Sequence, residues 1–253
     1  FAIEVKNAWP LLVVVPDNAT ASLFTEAIAP FEFEQTGQAR FACTLVSQSS
    51  LANRELESYT AVCLLDPEPI PSVVWEQLGR YVRAGGGLAV FLGHNAQATT
   101  SFNEPAAQQL LGGQLARVWR SADRSLFLAP DRYDHPVMAP FRDRTTSVPW
   151  DAAPVFKHWV LDPMNDETGT VVSYSNGKPA IVERAVGRGR VVTVTTPVSD
   201  ALRPADHTAW NELPTSDEAW PYLVLVNELM LHLTDSSGVR LNYTAGETAV
   251  LPN

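Results

Sequence analysis

Five consecutive apolar residues, Leu11–Val15 (LLVVV), stop abruptly at Pro16-Asp17-Asn18. A run this short suits a strand better than a buried helix, and it is too uniformly apolar for a strand with one wet face. It therefore predicts a strand covered on both sides, as in a parallel sheet sandwiched between helices. The pattern recurs at Phe41–Val46, at Ala61–Leu65 before Asp66-Pro67, and at Leu88–Leu92 before Gly93. Helical stretches separate these runs. One is predicted from the N-cap candidate Thr20 to about Gln35, closed by Gly37. Another is opened by Pro71 and Ser72, carries Val73, Val74, Leu78, Tyr81 and Val82, and is stopped by Gly85-Gly86-Gly87. Strand–helix alternation with right-handed crossovers gives an α/β fold with a doubly wound, mostly parallel sheet.

The middle of the chain breaks this rhythm. Residues 114–163 are rich in Trp, Arg and Pro, with short β-like pieces at Leu115–Trp119, Ser125–Leu128 and Val155–Leu161, and are expected to form an irregular β-rich insertion. Regular pattern resumes at Thr170–Tyr174 and Pro179–Ala185, joined by Asn176-Gly177, a strong hairpin signal. Val191–Thr195 is a further buried strand, and Glu218–Leu233 a closing helix. Residues 1–236 are thus expected to be one domain, with 237–253 a tail that includes a strand-like piece, Thr248–Leu251.

Composition narrows the function. A net charge of −10 disfavours nucleic acid, which demands a basic face, and disfavours docking on anionic lipid. With 45% apolar residues there is ample core material, but no window reaches the ~18 apolar residues of a spanning helix, so this segment is not expected to enter a membrane directly. The two cysteines, Cys43 and Cys63, fall within strands two positions apart, roughly 9.6 Å at ~4.8 Å per strand. A disulfide needs Cα atoms within about 7 Å, so both are expected to be buried free thiols.

Three stretches, YVRAGGGLAVFLGHN (Tyr81–Asn95), DHPVMAPF (Asp134–Phe141) and GRGRVVTVTT (Gly187–Thr196), resemble the class I glutamine amidotransferase-like superfamily. Within it the chain is most similar to ThuA-like proteins and to related domains of large bacterial membrane proteins that also carry von Willebrand-type domains. WNELPTSDEAWPYLVLVNELMLHL (Trp210–Leu233) resembles the closing helix of those domains. The resemblance spans most of residues 11–234 and implies a flavodoxin-like core with strand order near 2-1-3-4. It also implies a bacterial protein tethered to the inner membrane, an expectation that the first residue, Phe1 in place of Met, strengthens by suggesting a piece of something longer.

Catalytic members of the superfamily carry a cysteine on the turn after the strand matching Leu88–Leu92, where a helix N-terminus stabilises the thiolate and backbone N–H groups hold the oxyanion. Here the turn reads Gly93-His94-Asn95-Ala96, with neither cysteine nor serine, so acyl transfer by that route lacks its nucleophile. No catalytic residue is assigned. His94 occupies the position at which ThuA-like proteins carry a histidine, at the carboxyl end of a strand, where open α/β sheets bind ligands. With Asn95, and with Asp17 and Asp66 at the ends of two other strands, it forms a candidate ligand crevice; the alternative is ordinary turn chemistry and loop hydrogen bonding. His135 lies in the turn Asp134-His135-Pro136, His158 in an aromatic run, His207 in a polar loop and His232 beside the apolar stripe of the last helix. No pair has HxxxH or HxH spacing, so neither a metal site nor a cofactor is indicated.

Trp119, Arg120, Arg124, Arg132 and Trp150 form an Arg/Trp-rich segment of the composition favoured at interfaces, against the alternative of solvated arginines paired with interspersed aspartates. The expected role is interaction or ligand sensing without catalysis, with a protein partner or other domains of the same full-length protein. The alternative is binding or processing of a small molecule, such as a carbohydrate, in the His94/Asp17/Asp66 crevice.

Overall fold

The computed structural model describes residues 8–16, 21–99, 101–121, 123–144, 147–198 and 209–234. Its main sheet begins with β1 (Trp9–Val15), β2 (Phe41–Ser47), β3 (Ala61–Leu65) and β4 (Gly87–Phe91), all parallel in the order β2-β1-β3-β4. Beyond β4 the sheet continues with β9 (Gly189–Val194), β8 (Pro179–Val186) and β7 (Thr168–Ser173). Strand β9 runs parallel to β4, and β8 and β7 complete an antiparallel half. The chain leaves β1 toward β2, then returns to place β3 on the other side of β1. The switch point lies between β1 and β3, where ligands of open α/β sheets bind.

Period-2 alternation divides the apolar side chains into two cores. Leu11, Val13, Val15, Cys63, Ala89, Phe91, Val192 and Val194 face helices α1 (Ser22–Ile28) and α5 (Trp220–Thr234). Leu12, Val14, Val62, Leu64, Leu88, Val90 and Val191 face α3 (Ser72–Arg83). Every residue of β3 and β4 is buried, as two-sided coverage requires. A fully buried aliphatic side chain contributes about 1.5–3 kcal/mol, so these two layers supply most of the driving force for folding.

Three details differ from expectation. The helix predicted over 20–35 is two: α1 ends at Ile28, and α2 (Phe31–Gln35) begins after Pro30. Proline has no N–H to donate and drives the residue before it out of the helical region, so the break falls at Ala29-Pro30. In α3, Val73 is 65% exposed and Trp75 takes the buried position instead. Cys43 is only partly buried. The glycine stop holds, with Gly85 at φ 117°, a conformation that side-chain-bearing residues avoid. The N-cap candidate Thr20 and the strand-like Thr248–Leu251 lie outside the described residues.

Between β4 and β7 the chain forms the short α4 (Pro105–Gln108) and an antiparallel pair, β5 (Gly113–Arg120) with β6 (Lys157–Met164). Of the pieces expected beside them, Leu128 and Val155 make isolated bridges only, to Tyr174 and Asn211. Among the described residues no helix is long and apolar enough to cross a membrane.

The thiols provide a check on strand placement. Cys63 is fully buried with its Sγ 3.4 Å from Met230 Sδ, and burial pushes its thiol far up. Burial, with a smaller effect from Glu34, raises Cys43 to about 12. At pH 8 a soluble disulfide reagent should leave Cys63 unlabelled and modify Cys43 far more slowly than a free thiol, with both reacting in denaturant. Rapid labelling of Cys63 in the native protein would show that β3 is not buried on both faces.

Candidate functional site

The last residue of β3 is followed by Asp66, which adopts φ 46°, in the left-handed region that short polar residues tolerate best. Its N–H donates to Phe91 O at 2.8 Å, pinning the end of β3 to the end of β4. The carboxylate then gathers the loop that follows β4. His94 Nδ1 lies 2.8 Å from Asp66 Oδ2, and Asn95 N–H donates to Oδ1 at 2.9 Å. The Asn95 side-chain amide donates to Asp66 O at 3.0 Å and to Oδ2 at 3.2 Å.

With the acceptor carboxylate at Nδ1, the imidazole carries its proton there, which makes Nε2 the acceptor nitrogen. The His94 side chain is 36% exposed and that of Asp66 15%. An imidazole held by a carboxylate, with its second nitrogen basic, can accept a proton or a ligand hydroxyl. Asn95 is a bracing residue, since both its donors are spent on Asp66. Asp17, the fourth member of the expected crevice, lies outside the described residues, as does His207.

Two other features support the loop. Trp159 in β6 donates its indole N–H to Gly93 O at 2.8 Å, so the β5–β6 pair buttresses the turn after β4. Gly93 itself is required by space: a Cβ there would overlap Asp66 Oδ1 and approach Pro197 Cγ to 2.8 Å. Two residues beyond Asp66, a cavity of about 240 Å³ opens between Gln48, Ser49, Glu68, Pro69 and Ile70. The Gln48 side chain spans its rim, donating to Glu68 O at 3.0 Å and accepting from Glu68 N–H at 2.9 Å.

The Arg/Trp segment is dispersed. Trp150 does not belong to a surface: it is 8% exposed and packs on Phe141 with ring centroids 5.0 Å apart, because its indole fills the core between the insertion and α5. Trp119 is half-buried and stacks on His158. Arg124 forms a two-pronged bond to Glu212, at 2.9 and 2.6 Å, with its guanidinium 5.7 Å from the Phe156 ring centre. Arg120 and Arg132 are exposed.

A second polar group has no counterpart in the sequence reading. His135, Glu183 in β8 and His232 in α5 converge where the sheet meets α5 and the 3₁₀ segment Pro136–Arg144. Glu183 Oε2 lies 3.1 Å from His135 Nε2 and 2.6 Å from His232 Nε2. Val137 N–H donates to His135 Nδ1 at 3.3 Å, and Arg190 Nη1 lies 3.0 and 2.7 Å from the two nitrogens of His232. Burial alone would raise the Glu183 carboxyl, but the hydrogen bonds and charge of the two histidines outweigh it and hold the group at about 2. His158 is the opposite case. It is fully buried, donates Nδ1–H to Trp159 O at 2.9 Å and leaves Nε2 unpartnered, and desolvation lowers its pKa.

No protein-family model and no curated protein sequence matches the chain. Solved structures do. The cytoplasmic protein STM1381 from Salmonella typhimurium LT2 aligns with TM-score 0.65 at 13% identity, over 88% of this chain and 99% of that one. A ThuA-like protein from Bacteroides uniformis aligns with TM-score 0.57 at 16% identity, over 90% and 93% of the two chains. The chain has a ThuA-like fold. A β-galactosidase from Rahnella sp. R3 aligns with TM-score 0.55 at 11% identity, over 92% of this chain but 32% of the enzyme.

Two substitutions test this geometry. Gly93→Ala should displace the Asp66 carboxylate and cost about 1–3 kcal/mol in chemical denaturation, the usual penalty for overpacking; an unchanged midpoint would contradict the close approach. Because Glu183 is held below its ordinary value of 4.5, its ionised form stabilises the fold above that pH, and the contribution fades as pH falls toward 2. In metal-free buffer Glu183→Gln should be less stable than wild type by roughly 2–3 kcal/mol near pH 6, with the gap closing by pH 2. A gap independent of pH would mean that the carboxylate charge is not what the histidines hold.

Proposed function

We propose that this chain is an amidotransferase-like module that senses a small polar ligand at the carboxyl ends of its parallel strands and performs no acyl transfer. The observation that carries this is the Asp66–His94 pair. The carboxylate holds the imidazole through Nδ1 at 2.8 Å, leaves Nε2 as the acceptor nitrogen, and lies at the carboxyl ends of β3 and β4, one strand from the switch point between β1 and β3. The superfamily's nucleophile position holds Gly93-His94-Asn95, which supports recognition in place of covalent catalysis. Hydroxyl-rich ligands such as sugars fit an acceptor imidazole beside a carboxylate and the neighbouring cavity, with Asp17 as a further candidate contact.

A module within a larger protein fits the β-galactosidase alignment, which covers about a third of that longer chain, and the sequence resemblance adds a bacterial membrane anchor. Exposed Arg120 and Arg132 are the remaining candidate contacts for a protein partner or a neighbouring domain of the same protein.

The test is a titration of wild type and His94→Ala with a panel of mono- and disaccharides, β-galactosides included, followed by calorimetry and thermal melting. Wild type should bind at least one member, and His94→Ala should lose that binding while changing stability by less than about 1 kcal/mol. A loss of about 1–3 kcal/mol in the variant, with no ligand for wild type, would instead make His94 a loop brace.

A further inference from the structure

We infer that His135, Glu183 and His232 form a binding site for a first-row divalent transition-metal cation, with Zn²⁺ the best fit. The three come from the turn before the 3₁₀ segment, the middle of β8 and the last turn of α5, yet their ligand atoms all lie within 4.8 Å of one another. Two imidazole nitrogens meet on a single carboxylate oxygen, at 3.1 and 2.6 Å. Two histidines and one glutamate are a recurrent zinc ligand set, and nitrogen donors select against Mg²⁺ and Ca²⁺.

The placement asks for an explanation that packing does not give. Glu183 lies on the face of β8 that otherwise points Ile181 into the α5 core, beside Val192 of β9. A carboxylate and two imidazoles at that boundary cost desolvation that apolar side chains would avoid. The side chains are 25%, 20% and 10% exposed for His135, Glu183 and His232, so the group is sheltered but reachable from solvent. Three protein ligands leave a further coordination position for water or a small anion.

Arg190 sets the conditions for binding. Its Nη1 is 2.7 Å from His232 Nε2 and 3.9 Å from Glu183 Oε1, so a guanidinium adds its positive charge beside the two histidines. Binding requires the guanidinium to withdraw to Oε1 and the Nε2 protons to leave. His135 must also give up the contact from Val137 N–H, which at 3.3 Å is long for a hydrogen bond. Arg190 is therefore a competitor of the cation, and removing it should tighten binding.

The experiment is isothermal titration of the chelator-stripped, folded chain with Zn²⁺ and with Mg²⁺, on wild type, His232→Asn, Glu183→Gln and Arg190→Gln, with circular dichroism to confirm folding. Wild type should bind one Zn²⁺ and no Mg²⁺. His232→Asn and Glu183→Gln should each weaken Zn²⁺ binding by at least ~10–100-fold, and Arg190→Gln should strengthen it. Failure of folded wild type to bind Zn²⁺ would overturn the assignment. So would binding that survives both ligand substitutions, which would place the ion elsewhere, for example at the Asp66–His94 pair. If the ligand variants do not fold, Arg190→Gln decides: tighter binding supports the site, and weaker binding overturns it.

Discussion

The central strands must be covered on both faces, and the remaining architecture follows from that demand. Strands β1, β3 and β4 have no polar side chain to offer water, so helices are needed above and below. Successive residues enter opposite cores, one closed by α1 and α5 and the other by α3. The same demand fixes where polar chemistry can occur. Inside β3 and β4 there is no room for it, so the first polar residues able to reach solvent are those that follow these two strands. Asp66 and His94 are those residues, and they bond to each other.

The insertion adds a second constraint. Its strand β6 sends Trp159 to the carbonyl of Gly93, so the turn that holds His94 is fixed from the strand side by Asp66 and from the insertion side by an indole. A turn braced from two directions is held in one conformation, which is what preorganisation means in structural terms.

The parallel half was legible in the sequence because an uninterrupted apolar run ended by Pro, Asp or Gly has few structural meanings. Asp66 and His94 could be found for the same reason: each terminates such a run. What escaped depended on tertiary contacts. The break at Pro30 was signalled by the proline, but the apolar spacing on either side suggested continuity. Trp150 read as an interface residue by composition, yet the core took it, as large aromatics often are. The His135–Glu183–His232 group had no local signature. Its members are separated by dozens of residues and meet only because β8 runs antiparallel beside β9 and α5 packs across both.

The position of β9 has a consequence for how the chain is made. It pairs with β4, but it follows β4 in the sequence only after β5, β6, β7 and β8. During synthesis on the ribosome, β4 emerges with an open, fully apolar edge and has to wait for the whole intervening stretch before its neighbour exists. The nascent N-terminal half therefore presents an unpaired strand edge until β9 is made, and a fragment cut anywhere between β4 and β9 carries the same exposed edge.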